Sequence, residues 1–83
     1  MKTRKESIMV KSKITEMYVN TYRASAELSQ DDLATRVGVA RQTIINLEKN
    51  KHNPSLLLMY AISEELGTTI EELVRFEKLE END

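Results

Sequence analysis

The sequence predicts an all-α fold, one small domain of five helices in which the second and third are joined by a tight turn. Three observations carry that expectation. Leu33, Ala34 and Val37 recur at helical spacing behind Ser29, a residue suited to an N-cap, with Asp32 three positions later. Gly38 then interrupts the pattern where the chain needs a positive φ, which glycine adopts without strain. Beyond it, Ile44 and Leu47 turn inward from a helix starting near Ala40, and Val39 plugs the angle between the two helices. Ala34 is small where the later helix must cross the earlier one closely. Residues 30 to 48 therefore read as a helix-turn-helix.

The other elements follow in chain order. Residues 1 to 16 hold five basic and two acidic side chains, with Ile8-Met9-Val10 the one apolar cluster. Such an extension cannot bury enough to order itself and is expected to be flexible, ahead of a basic binding arm or a short edge strand. The first helix is expected from about Thr15 to Ala26, with Val19 and Tyr22 inward. Pro54-Ser55 opens the fourth, capped by Ser55, with Met59, Ile62, Ser63 and Leu66 on its core stripe and Gly67 at its end. Thr69-Ile70-Glu71-Glu72 fits a capping box for a fifth helix carrying Ile70, Leu73, Val74 and Phe76. The domain thus spans residues 17 to 76, and residues 77 to 83 form a solvated acidic tail.

Leu56-Leu57-Leu58 is too apolar for a single core stripe. Leu57 and Leu58 are read together with Ile70, Val74 and Phe76 as a dimer interface, the alternative being ordinary core with one exposed leucine. A chain of 83 residues has a modest core and often gains stability by dimerising.

Composition narrows the function classes. There are no cysteines, which excludes disulfides and thiolate metal sites and fits a reducing cytoplasm. No apolar run approaches the roughly 18 residues of a membrane span, so no membrane association is expected. His52 is the only histidine, and without Cys or a second His it reads as a solvated loop residue rather than a metal ligand. Asp31-Asp32 and Glu71-Glu72 sit at helix starts, where the helix dipole favours them, and with Glu64-Glu65 they do not converge on a pocket. Neither a phosphate-binding glycine loop nor a nucleophile–histidine arrangement is present. No enzyme activity, cofactor or metal is expected.

The net charge of −2 divides unevenly. Residues 1 to 53 hold 10 Lys/Arg against 6 Asp/Glu, and residues 54 to 83 hold 2 against 8. Attraction to a polyanion depends on the facing surface, so a basic front with an acidic back would orient the protein on one. The outer face of the helix from Ala40 carries Arg41, Gln42, Thr43, Ile45 and Asn46. Arginine suits guanine O6/N7, the amides suit adenine N6/N7, and Ile45 suits a thymine methyl, so Arg41, Gln42, Ile45 and Asn46 are the candidate base readers of double-stranded DNA. Any solvated helix can carry Arg, Gln and Asn, but an exposed isoleucine is not explained that way.

The segment Leu28-to-Lys49, continued through Glu48-Lys49-Asn50-Lys51 and Asn53-Pro54-Ser55, resembles the Cro and lambdoid-phage-repressor family, the Xre-type regulators. The resemblance spans roughly Val19 to Leu73, with Ser29-Gln30, Leu33-Ala34, Gly38-Val39, Arg41-Gln42-Thr43-Ile44 and Glu48 in register. It implies a five-helix lambda-repressor-like domain and a homodimeric, sequence-specific repressor on a palindromic operator. It implies too that Arg23 forms a structural ion pair with Glu48, and that Gln30 lies near the phosphate backbone and steadies Arg41. Thr43, Lys51 and Asn53 are supporting or phosphate-contacting residues beside it. Two departures stand out: Glu27 and Asn50 occupy positions where the family favours glycine. Met17 lies near the usual start of the family region, so part of the extension is expected to reflect a choice of start codon. The alternative function is an antitoxin-type protein-interaction module that also regulates its own operon.

Overall fold

In the computed structural model, residues 11–49 and 53–79 are described. The order of elements is β1 (Ser12–Met17), α1 (Val19–Ser25), α2 (Gln30–Val37), α3 (Arg41–Lys49), α4 (Leu56–Leu66), α5 (Ile70–Leu73) and β2 (Val74–Lys78). Five helices are present, and a two-stranded antiparallel ribbon joins the two ends of the described chain. The fold is therefore not all-α.

Local chemistry accounts for the helix ends. Ser29 accepts a hydrogen bond from the Asp32 amide while the Asp32 carboxylate accepts one from the Ser29 amide, at 2.9 and 3.0 Å. This reciprocal box satisfies two N–H groups that α2 cannot pair internally. Gly38 closes α2 at φ 83°, and its N–H and that of Val39 both reach the Ala34 carbonyl. Ser55 accepts from the Leu58 amide at the start of α4, and Gly67 ends that helix at φ 68°. Thr69 accepts from the Glu72 amide and caps α5.

The core comprises Val19, Leu33, Ala34, Ile44, Leu47, Met59, Ile62, Leu73 and Val74, with Ile14, Met17, Val39, Leu58 and Ile70 packed around it. Every helix contributes, so α3 is held by both α2 and the layer beneath it. Ser63 is buried among them, its hydroxyl donating to the Tyr60 carbonyl at 2.7 Å.

Three expectations about the ends of the domain are corrected. Residues 12 to 17, placed partly in the extension and partly in the first helix, form β1, and α1 begins only at Val19. The reason is antiparallel pairing with Val74–Lys78, in which a bulge between Ile14 and Glu16 adds a residue to β1 opposite β2. Ile14 and Met17 consequently pack toward the core from positions three apart, a spacing that mimics a helix. The fifth helix stops after one turn, and Val74 and Phe76 belong to β2. Glu77 and Lys78, assigned to the tail, are also in β2, where Glu77 pairs with Lys13 and Arg75 with Glu16. The Ile8-Met9-Val10 cluster, Asn50, Lys51 and His52 lie outside the described residues.

Candidate nucleic-acid interface

α3 presents two faces of opposite character. Ile44 and Leu47 are buried, whereas Arg41, Gln42 and Asn46 are exposed, and Thr43 and Ile45 are half-buried at the border. No acidic residue lies in its first turn. The Gln42 amide donates from Nε2 to Asn46 Oδ1 at 2.9 Å, joining two exposed amides one helical turn apart. Arg41 has no hydrogen-bond or ion-pair partner among the described residues. A shallow groove beside the helix is lined by Thr43, Asn46, Asn53, Pro54, Ser55 and Leu58. Asn53, from the loop after α3, is thus brought next to Asn46.

The single carboxylate of α3 is turned away from that face. Glu48, whose side chain is 5% exposed, receives Arg23 Nε at 2.7 Å on Oε2 and Arg23 Nη2 at 3.1 Å on Oε1. Oε1 also accepts from Gln30 Nε2 at 3.0 Å. The remaining Arg23 terminal nitrogen donates to the Leu28 carbonyl at 2.9 Å. Glu48 thereby holds the Arg23 guanidinium above its ordinary pKa, chiefly through the side-chain hydrogen bonds, against a burial effect in the opposite direction. Among the described residues, no buried side-chain polar atom lacks a partner. A planar two-pronged guanidinium contact fixes geometry as well as charge. Three elements meet here: the end of α1, the first residue of α2 and the last turn of α3.

At Gln30 the structure shows a contact outside the expected set. Its amide is directed to Glu48, eighteen residues away in sequence, and not to Arg41. Gln30 thereby ties the start of α2 to the last turn of α3.

The apolar residues assigned to a dimer surface separate into different environments. Val74 is 4% exposed and belongs to the core, which removes it from any outer patch. Leu58 packs against the core and lines the groove beside α3. Leu57 is 78% exposed and Phe76 55%. Leu56, at 74%, and Tyr60 were missed; with Ile70 and Phe76 they line a groove that also carries Ser63, Glu64, Thr68, Thr69 and Glu71. The i and i+4 spacing of Leu56 and Tyr60 was the available signal.

Comparison with known proteins bears on this arrangement. Residues 19–73 match the helix-turn-helix family. An uncharacterized HTH-type transcriptional regulator from Methanocaldococcus jannaschii is 48% identical over 56 residues, covering 68% of this chain and 85% of that one. Another, from Archaeoglobus fulgidus, is 44% identical over 62 residues, covering 75% and 87%. Among solved structures, the biofilm master regulator SinR in complex with DNA is similar at a TM-score of 0.62 and 28% identity, over 66% of this chain and 89% of that one. A SinR–SinI complex matches with the same TM-score and identity, this chain spanning 54% of that chain's length. Among the described residues, no helix is long and apolar enough to cross a membrane.

Proposed function

The chain belongs to the helix-turn-helix family of DNA-binding transcriptional regulators, and from that premise we propose that it reads a specific double-stranded sequence through α3. One observation carries the reading. The exposed face of α3 offers Arg41, Gln42 and Asn46, while its only carboxylate is withdrawn, paired with Arg23 and hydrogen-bonded by Gln30. A face of donors without an acid suits the acceptor-rich major groove. Ile45 lies at the border of that face, placed for a thymine methyl. Thr43, Asn53 and Lys51 serve the phosphate backbone, and Gln30 supports α3 through Glu48.

The regulator acts as a homodimeric repressor on a palindromic operator. Two copies related by a two-fold axis would present their α3 helices about 34 Å apart, one turn of B-DNA. The exposed Leu56, Leu57, Tyr60 and Phe76 supply apolar surface for that association. The structurally similar SinR has been solved in complex with DNA, which supports DNA as the partner of this chain.

Selection of bound sites from random duplexes tests the proposal. The expected product is an inverted pair of half-sites. Arg41→Ala should then weaken binding by about 1–3 kcal/mol and relax preference at particular base pairs. Lys51→Ala should weaken all sequences alike and lower the salt slope by about one ion. Unselected sequences, or an Arg41→Ala variant with intact affinity and preference, would refute the assignment of the reading face. Sedimentation that finds only monomer with and without DNA would turn the apolar surface over to a heterologous protein partner, as in an antitoxin-type module.

A further inference from the structure

We infer that a half-open cavity between the ribbon and α4 is a site for a small amphipathic monocarboxylate, and that its occupancy opposes the binding of DNA. The effect on DNA rests on the proposed function; the cavity does not. It encloses about 250 Å³. Met59 and Val74, at 3% and 4% exposure, lie at its base, Ile14 and Ile70 line its sides, and the exposed Leu56 and Phe76 stand at its mouth. That volume is a little below the range for drug-sized ligands and suits a smaller molecule with an apolar body.

The polar residues at the cavity select the other end of the ligand. They are Ser12 and Lys13 on β1, and Asn53 beside Pro54. Each can donate, through a hydroxyl, an ammonium and an amide. Among the described residues, none of the three side chains has a hydrogen-bond or ion-pair partner. Glu77 pairs with Lys13 across the ribbon but does not line the cavity, and no other carboxylate lines it. A carboxylate is acceptor-only and matches this donor set, whereas a cation would find no counter-charge there. The neighbouring groove shares Leu56, Ile70 and Phe76 but carries Glu64 and Glu71, which repel the same anion.

Asn53 and Pro54 line both this cavity and the shallow groove beside α3. One short segment therefore borders the ligand on one side and the proposed DNA-facing surface on the other. A carboxylate that takes the Asn53 amide removes it from a phosphate, and the two ligands then oppose each other by the same factor. The loss of one hydrogen bond of ordinary net strength makes that factor roughly 2- to 12-fold.

Titration calorimetry of the full chain with butanoate, hexanoate and octanoate tests the site. Binding should saturate and should tighten roughly fourfold for each methylene buried. Octanol should bind more weakly than octanoate, and Lys13→Gln should weaken octanoate by roughly 1.5- to 5-fold without affecting octanol. Ser12→Trp sets a large side chain at the cavity from an exposed strand position and should abolish binding, with circular dichroism reporting the fold. Saturating octanoate, compared with sodium chloride of equal ionic strength, should lower affinity for the selected duplex by roughly 2- to 12-fold. Sedimentation should not change. The site is overturned by uptake that never saturates, by octanol matching octanoate, or by a folded Ser12→Trp variant that binds as before. Unchanged duplex affinity, or a loss that comes with dissociation of a dimer, overturns the coupling through Asn53. A protein that binds octanoate but selects no duplex overturns the proposed function instead, a distinguishable result.

Discussion

The chain reverses direction around two left-handed residues that flank α2, and they are not the same kind of residue. Gly38, between α2 and α3, has φ 83°, and Glu27, between α1 and α2, has φ 60°. At Gly38 the backbone requirement and the residue type agree. At Glu27 they do not, because a side chain on Cβ crowds the backbone in this region. Glu27 is nevertheless held there by its surroundings. The Leu28 amide donates to the Arg23 carbonyl at 3.1 Å, and the Arg23 guanidinium donates back to the Leu28 carbonyl. The buried Glu48 fixes that guanidinium from the other side. A turn can thus be imposed by the residue type at its centre or by polar contacts around it, and this small domain uses one device at each end of a single helix.

The largest test removes the contacts that impose the second turn. Arg23→Ala strands the Glu48 carboxylate, 5% exposed, and releases the Leu28 carbonyl together. Urea unfolding should show a loss of about 3–5 kcal/mol, the usual consequence of leaving one buried charge unpaired. Replacing both partners, as Arg23→Met with Glu48→Leu, should cost clearly less than the single change, because no buried charge remains. Equal losses would mean that the stranded Glu48 charge is not the source of the cost.

A smaller effect is expected at the glycine turn. A Cβ on Gly38 would meet no atom within 4 Å, so the cost of Gly38→Ala is conformational alone. It should lower stability by about 1–2 kcal/mol. A larger loss in urea unfolding would show that the turn has another constraint. Glu27→Gly should act in the opposite direction. It relieves the left-handed strain but frees the unfolded chain as well, leaving a rise of a few degrees in thermal midpoint. A fall would show that the Glu27 side chain itself stabilises the turn.

The least effect concerns the acidic side of the capping box. Bonds from the Ser29 amide, and then its hydroxyl, hold the Asp32 carboxyl below its ordinary pKa. A lowered folded-state pKa gives stability that is present above the unfolded value near about 4 and disappears as pH falls through the folded value. Thermal midpoints of the unaltered protein and Asp32→Asn should therefore converge in strong acid and separate slightly above it. Parallel curves throughout would remove the carboxylate from the explanation.

These two turns also mark what the sequence made legible. Gly38, the Ser29 box, the Ser55 cap and Gly67 were readable because each signal acts within a few residues. The inward set of α2, α3 and α4 was readable for the same reason, through helical spacing. The ribbon was not. Met17 and Val74 are partners across almost the whole domain, so nothing local to residues 12 to 17 indicates the strand that pairs there. Val74 and Phe76 satisfied a helical pattern after Leu73 until strand pairing claimed them. On the candidate interface, the exposed row of Arg41, Gln42 and Asn46 could be read from α3 alone. The link from Gln30 to Glu48 joins residues far apart in sequence, and nothing local at Gln30 indicates it.

The ribbon carries one more consequence. At its open end the Leu79 amide donates to the Lys11 carbonyl at 2.6 Å, so the polypeptide enters and leaves the folded unit at one place. Such a unit resembles a bead on a loop: splicing residues 11–79 into a surface turn of another protein would require little stretching of the host chain. The same adjacency makes residues 11 and 79 natural points to join, so a circularly permuted version opened elsewhere would need only a very short connector to keep its two ribbon strands paired.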